Sequence, residues 1–273
     1  MTKRAATDKG YTFALFNGEG KQRPEIFVFP SVTQVIKATL AAPQLVAWAY
    51  RQTVDSISGL LSVVSDVPST PWLGLHEDGS PSFSGPAEAI LDIAGDADLL
   101  DEWLLLNKLR PVDLRDERAV EGKDAHEFLE YLVQSRILKT PAPVPDDGYT
   151  EAIAAWWRET DPSSQGSSIA SESVVWSLSK QYAGTVDLVW TDEDGDLHVT
   201  DLKTRRAGND AYNSDHIQVS AYAYAWEEMG RGTIAQGSVL IVHDDGTWRE
   251  EDTDIGPEAF FHLRDVFRIL EGM

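Results

Sequence analysis

Three charged residues stand where half-buried strands should be apolar: Asp187 in GTVDLVW, and Asp201 and Lys203 in DLHVTDLK. Side chains alternate faces along a strand, so Asp201 and Lys203 share one face and Thr200 and Leu202 the other. An unpaired carboxylate buried in a sheet costs several kcal/mol or takes up a proton. DEDG between the two runs is a hairpin-turn signal, which makes them neighbouring strands and brings Asp201 near Asp187. Two carboxylates at that range repel unless a cation sits between them. Hard carboxylate oxygens, completed by water and a substrate phosphate, suit Mg2+ or Mn2+. Lys203 would then neutralise a phosphate or steer an attacking water. Together the three residues have the makings of half of a metal-dependent phosphodiester-cleaving site.

Elements able to hold such a site can be read along the chain. YTFALF and EIFVFP read as strands joined by the turn-rich NGEGKQRP. PSVTQVIKATL opens a helix, with Ser31 and Gln34 forming a capping box. Residues 41–64 read as helix restarted at Pro43, residues 65–86 as loop, and 87–93 and 97–109 as helices. A longer helix over 118–138 is ended by PAPVPDDG. From YTEAIAAWWRET onward the order is helix, three strands, helix, strand, helix. In this part Ser214 is the expected N-cap of SDHIQVSAYAYAWEEMG, Gly230 its stop, and Pro257 the start of the last helix.

GTVD followed after 13 residues by DLK resembles the PD-(D/E)XK nuclease superfamily. QVSAY, with Gln218 and Tyr222 four apart on one helical face, resembles the Q-x-x-x-Y motif of its RecB-like, CRISPR-associated branch. GKDAHEFLE resembles that branch's G-x-x-x-H helix, and PSVTQVI the opening helix of phage members. The resemblance runs from about Pro30 to the C-terminus, with no motif between Ser56 and Arg118. It implies an α/β fold with a restriction-endonuclease-like core: a mixed central sheet flanked by helices, with an N-terminal hairpin and a helical insertion. Residues 1–118 would be an N-terminal hairpin and helical region packed on a nuclease core at 119–273, as one compact unit. It also implies that Asp187 and Asp201 bind metal with His126 and the Leu202 carbonyl, with Glu172 an additional candidate ligand. Lys203 would be the catalytic lysine, and Gln218 and Tyr222 would organise the site and contact DNA. The implied activity is Mg2+- or Mn2+-dependent DNA cleavage, commonly from single-stranded or free ends. Such activity serves recombination, repair or phage replication beside a helicase or recombinase.

The 273-residue chain has no cysteine, which excludes disulfides and the four-cysteine iron–sulfur cluster of many relatives. No apolar run reaches membrane-spanning length, and MTKRAATDKG lacks the apolar core of a secretory signal. The expectation is a cytoplasmic protein without a membrane partner, of bacterial or phage origin by resemblance. A net charge of −22 opposes non-specific DNA binding. Its distribution is uneven: residues 77–107 hold eight acids and no Lys or Arg, whereas 108–123 hold five bases against four acids. DNA should therefore enter by a local basic path near Lys123, Lys203, Arg205 and Arg206.

Other readings of the same residues are weaker. A D-x-K triplet alone is common on surfaces, and Tyr222 could be core. The weight lies in the ordered conjunction of His126, Asp187, Asp201, Lys203, Gln218 and Tyr222. Asp192, Asp194 and Asp196 begin like a calcium loop, but Leu197 and Lys203 stand where Gly and Glu are required. His198 lies on the strand face opposite Asp201. The alternatives in function are a non-catalytic adaptor with an acidic interaction surface, or a structure-specific endonuclease.

Overall fold

Three N-terminal strands pair antiparallel in the order β1 (Thr2–Thr7), β2 (Gly10–Leu15), β3 (Glu25–Phe29). Tyr11, Phe13 and Phe29 from this sheet bury against Ala183. A hairpin was expected here. β1 extends it to a sheet because backbone pairing, Thr2↔Ala14 to Thr7↔Gly10, needs no apolar periodicity in TKRAAT. The computed structural model describes residues 2–7, 10–15, 25–40, 72–75, 81–84, 102, 105–106, 111–162 and 168–272. The turn expected at 17–24, the helix expected over 41–64 and most of the helices expected at 87–93 and 97–109 lie outside the described residues.

The chain forms two compact units, Met1–Ala41 with Gly122–Met273, and Ala42–Glu121. In the second, the stretch expected as loop contains the antiparallel pair β4 (Trp72–Leu75) and β5 (Pro81–Ser84). Its Pro and Ser content hid two short strands, since proline is tolerated at a strand's first residue.

In the first unit, α1 (Val32–Thr39) begins at Ser31, and the reciprocal Ser31–Gln34 capping bonds are formed. Helix α2 (Pro111–Leu138), which belongs to this unit from Gly122 on, and α3 (Gly148–Thr160) precede strands β6 (Ala170–Ser177), β7 (Tyr182–Thr191) and β8 (Leu197–Arg205). Then come α4 (Asn213–Glu228), β9 (Ile234–His243), β10 (Trp248–Asp252) and α5 (Glu258–Leu270). The central sheet has the order β10-β9-β8-β7-β6. It is mixed because β8 and β9 run parallel across the α4 crossover. The DEDG turn closes as expected, with Gly195 at φ 87° and its N–H bonded to the Asp192 carbonyl.

Helices cover both faces. Val35, Val219, Tyr222 and Phe260, from α1, α4 and α5, pack on one; Leu129, Ile153 and Trp156, from α2 and α3, pack on the other. β10 is an edge strand that the acidic run WREED concealed. Glu250 turns inward and accepts hydrogen bonds from Trp156 Nε1 at 2.8 Å and Ser238 Oγ at 2.6 Å. α4 is capped two residues earlier than the expected Ser214. Tyr212 holds the cap position, its N–H given to the Asp215 carboxylate at 2.9 Å. Among the described residues no helix is long and apolar enough to cross a membrane.

Candidate active site

β7 and β8 pair from Thr191↔Leu197 to Leu188↔Thr200 and no further. Beyond that point the strands part, and the Leu202 N–H donates to Asp187 Oδ2 at 2.8 Å in place of a ladder carbonyl. On the other flank of β7, Ser171↔Leu188 and Ser173↔Val186 pair on either side of Glu172, which stands opposite Asp187. Its φ of 47° is in the left-handed region, a strained choice for a non-glycine residue and typical of functional positions.

Asp201 sits in the fork so made, and its side chain is wholly buried. Oδ1 accepts from Gln218 Nε2 at 2.9 Å, and Gln218 Nε2 also donates to the Tyr222 hydroxyl at 3.0 Å. Oδ2 forms an ion pair with Lys203 Nζ at 2.5 Å but accepts no hydrogen bond of good geometry. Alternation along β8 is as expected: Thr200, facing the other way, bonds to Trp190 and Ser238. Leu202 joins that side's apolar core.

α2 brings His126 to Asp187 Oδ2, with Nε2 at 3.2 Å, and the Gly122 carbonyl holds Nδ1 at 2.7 Å. Glycine suits position 122, because a Cβ there would meet the Thr204 hydroxyl at 3.3 Å. Thus Asp187 is approached by α2 from one side of the sheet and Asp201 by α4 from the other. Lys123, His126, Glu127, Glu130 and Glu172 line one cavity of about 330 Å³.

Charges at this fork are strongly coupled. Burial pushes Asp201 up to about 7, against Lys203 and with the repulsion of Asp187. Burial also opposes the charge on Asp187, but His126, Lys203 and the Leu202 N–H hold its carboxyl below the ordinary range. His126 rises to about 9, since Asp187 outweighs the cost of burying its charge. Lys203 is raised too: burial works against the ammonium, and Asp201, Asp187 and Asp215 overcome it. Two acids pushed apart in this way resist carrying both charges at once.

Among the described residues no three His, Asp or Glu side chains form a ready coordination group. The donors nevertheless fit a divalent ion. Asp201 Oδ2 is buried with the Lys203 ammonium as its one charged partner, and a cation would offset both the burial and the Asp187 repulsion that raise Asp201. The remaining expected residues differ in placement. Lys123 is exposed and pairs with Glu127 at 3.2 Å. Arg206 is exposed, 3.9 Å from Asp244. Arg205 turns inward, its Nη2 donating to Asp215 Oδ2 at 2.7 Å. His198 pairs with Asp192, away from the fork. Asp215 escaped sequence reasoning although its spacing was visible: 215, 218 and 222 lie at i, i+3 and i+7 on one face of α4.

Gly184 gives Tyr222 its room, because a Cβ there would fall 2.3 Å from Tyr222 Cε1. Gly184→Val should therefore destabilise the fold by about 1–3 kcal/mol in thermal unfolding and displace the Tyr222–Gln218–Asp201 chain. A variant as stable as wild type would refute that packing.

Residues 149–261 match the family model of the PD-(D/E)XK nuclease superfamily. The matched segment contains Asp187, Asp201, Lys203, Gln218 and Tyr222; His126 lies before it. The mixed five-stranded sheet flanked by helices, with strands at the N-terminus, agrees with a restriction-endonuclease-like fold. No curated protein matches the chain. Among solved structures, one described as "Crystal structure of SSO0001" aligns with a TM-score of 0.34 at 12% identity, over 56% of this chain. The alignment spans 61% of that chain's length.

Proposed function

We propose that the nuclease-type domain at residues 149–261, together with His126, is a divalent-metal-dependent deoxyribonuclease that hydrolyses DNA phosphodiester bonds. The observation that carries this reading is the fork between β7 and β8, where buried Asp201 meets Lys203 and neighbours Asp187. Asp187, Asp201, the Leu202 carbonyl and His126 would hold the ion, with Glu172 an additional candidate ligand beside them. When bound, Mg2+ or Mn2+ lowers the pKa of a water and offsets charge on the phosphate. Lys203, paired to Asp201, keeps a positive charge at the fork to meet a phosphate oxygen. Gln218 fixes the orientation of Asp201, and the Tyr222 hydroxyl fixes Gln218. The Gly122 carbonyl sets the ring of His126 so that Nε2 faces Asp187.

The finer part of the proposal is a RecB-like exonuclease acting on single-stranded or free ends in recombination, repair or phage replication. A helicase or recombinase would be its partner, and exposed Lys123 and Arg206 would lie along the DNA path. Its support is the order of His126, Asp187, Asp201, Lys203, Gln218 and Tyr222 along the chain. The test is incubation of the purified protein with linear and closed circular DNA, single- and double-stranded, in Mg2+ or Mn2+. Linear single strands should be degraded and closed circles left intact. Cut circles would replace the exonuclease by an endonuclease, and no product from any substrate would remove the enzyme.

A further inference from the structure

Along the site face of β8 runs a third charged residue, Arg205, two positions beyond Lys203. Strands advance about 3.3 Å per residue, so it stands roughly 7 Å further along. Its charge is already committed: Nη2 donates to Asp215 Oδ2 at 2.7 Å and Nη1 to the Thr204 carbonyl at 3.0 Å. What the guanidinium offers besides is a flat surface. Its Cζ lies over the ring of Tyr212, 4.8 Å from the ring centroid. The same Asp215 oxygen accepts the Tyr212 N–H at 2.9 Å, so one buried carboxylate fixes both the brace and the backbone that carries the ring. Tyr212 itself remains 43% exposed. An aromatic ring supported from behind by a neutralised guanidinium, and open to solvent elsewhere, presents a π surface without a phosphate-binding charge.

We propose that Tyr212, braced by Arg205, is a stacking platform for a base of single-stranded DNA beside the phosphate served by Lys203. The proposal deepens the nuclease reading and rests on it for the identity of the ligand. A strand crossing the fork passes from Lys203 toward Arg205 over a distance on the order of one nucleotide. Only an unpaired base can offer its face there, which selects single strands over duplex. Because every base has such a face, the contact tolerates any sequence. Arg205 is then a support for the ring and not a ligand of the backbone.

The test is anisotropy of a fluorescent phosphorothioate oligothymidylate, which resists hydrolysis, and of the same backbone without bases, in Mg2+. The 273-residue wild type, Tyr212→Ala and Tyr212→Phe are compared after thermal unfolding establishes that all three are folded. Tyr212→Ala should weaken binding of the base-bearing strand roughly 5- to 150-fold. Tyr212→Phe should stay within about twofold of wild type, since stacking uses the ring and not the hydroxyl. On the abasic strand wild type and Tyr212→Ala should bind alike. Equal affinities of wild type and Tyr212→Ala for the base-bearing strand, no measurable binding by wild type, or an equal loss on the abasic strand would each overturn the platform. Cleavage of ordinary linear DNA by wild type tests the parent reading separately. An inactive protein with ring-dependent affinity would keep the platform and remove the nuclease.

Discussion

Purified Asp201→Ala and Lys203→Ala are each expected to lose DNA degradation in Mg2+ or Mn2+ by roughly 1,000-fold or more while remaining folded. The expectation follows from the fork. Asp201 is the one acid there that is bonded to Gln218 and paired with Lys203 at the same time. Removing its carboxylate takes away a ligand of the proposed ion and the partner that positions the ammonium. Removing Lys203 leaves both aspartates but takes away the ammonium that would meet the phosphate. Initial rates on end-labelled linear single-stranded DNA, with circular dichroism as the check on folding, decide the matter. Undiminished cleavage by either variant would end the assignment.

Asp201→Asn should make the metal-free protein more stable at pH 8, by about 1–3 kcal/mol or several degrees in Tm. Its sign follows from linkage. The carboxyl of Asp201 titrates near 7 in the fold against an ordinary value of 3.8, even with Lys203 beside it. Below the ordinary value both states hold the proton and nothing is lost. As pH rises from about 4 to 7 the unfolded chain gives up this proton while the folded, buried carboxyl keeps it, and stability falls until the folded group ionises near 7. An amide cannot ionise, so its advantage over wild type should be absent near pH 4 and complete above pH 7. Mn2+ should reverse the order at pH 8, raising the Tm of wild type more than that of Asp201→Asn, because the ion stabilises only the state that binds it. Thermal unfolding in EDTA and in Mn2+ at both pH values measures all four quantities. A less stable Asp201→Asn at pH 8 in EDTA would show that the ionised carboxylate is at ease in its site without a metal.

Much of this centre was legible before any fold was known, and the reason is local geometry. Period-two alternation in HVTDLK sets Asp201 and Lys203 on one face. A turn signal joins their strand to the one carrying Asp187. Helical periodicity aligns Gln218 with Tyr222, and would have aligned Asp215 had a salt-bridged acid been sought there. Short strands with polar or proline-bearing sequences were not legible. β1, β4, β5 and β10 are held by backbone pairing with a neighbour, which leaves little trace in side-chain pattern.

Types and faces of residues, then, are what the amino-acid sequence by itself determined: an acid–lysine face on β8, a lone acid on β7, and a polar face on α4. Only the tertiary structure decided that β7 and β8 part at Leu188, and that His126 reaches Asp187 from 61 positions away. It likewise turned Arg205 to Asp215 and left Tyr212 on an open stack. The division is physical. Facing is a property of successive residues along one element, whereas the parting of strands and the partner of a charge depend on how distant segments cross. Burial then changes what each group does: one aspartate of the pair is driven toward neutrality while the other stays charged.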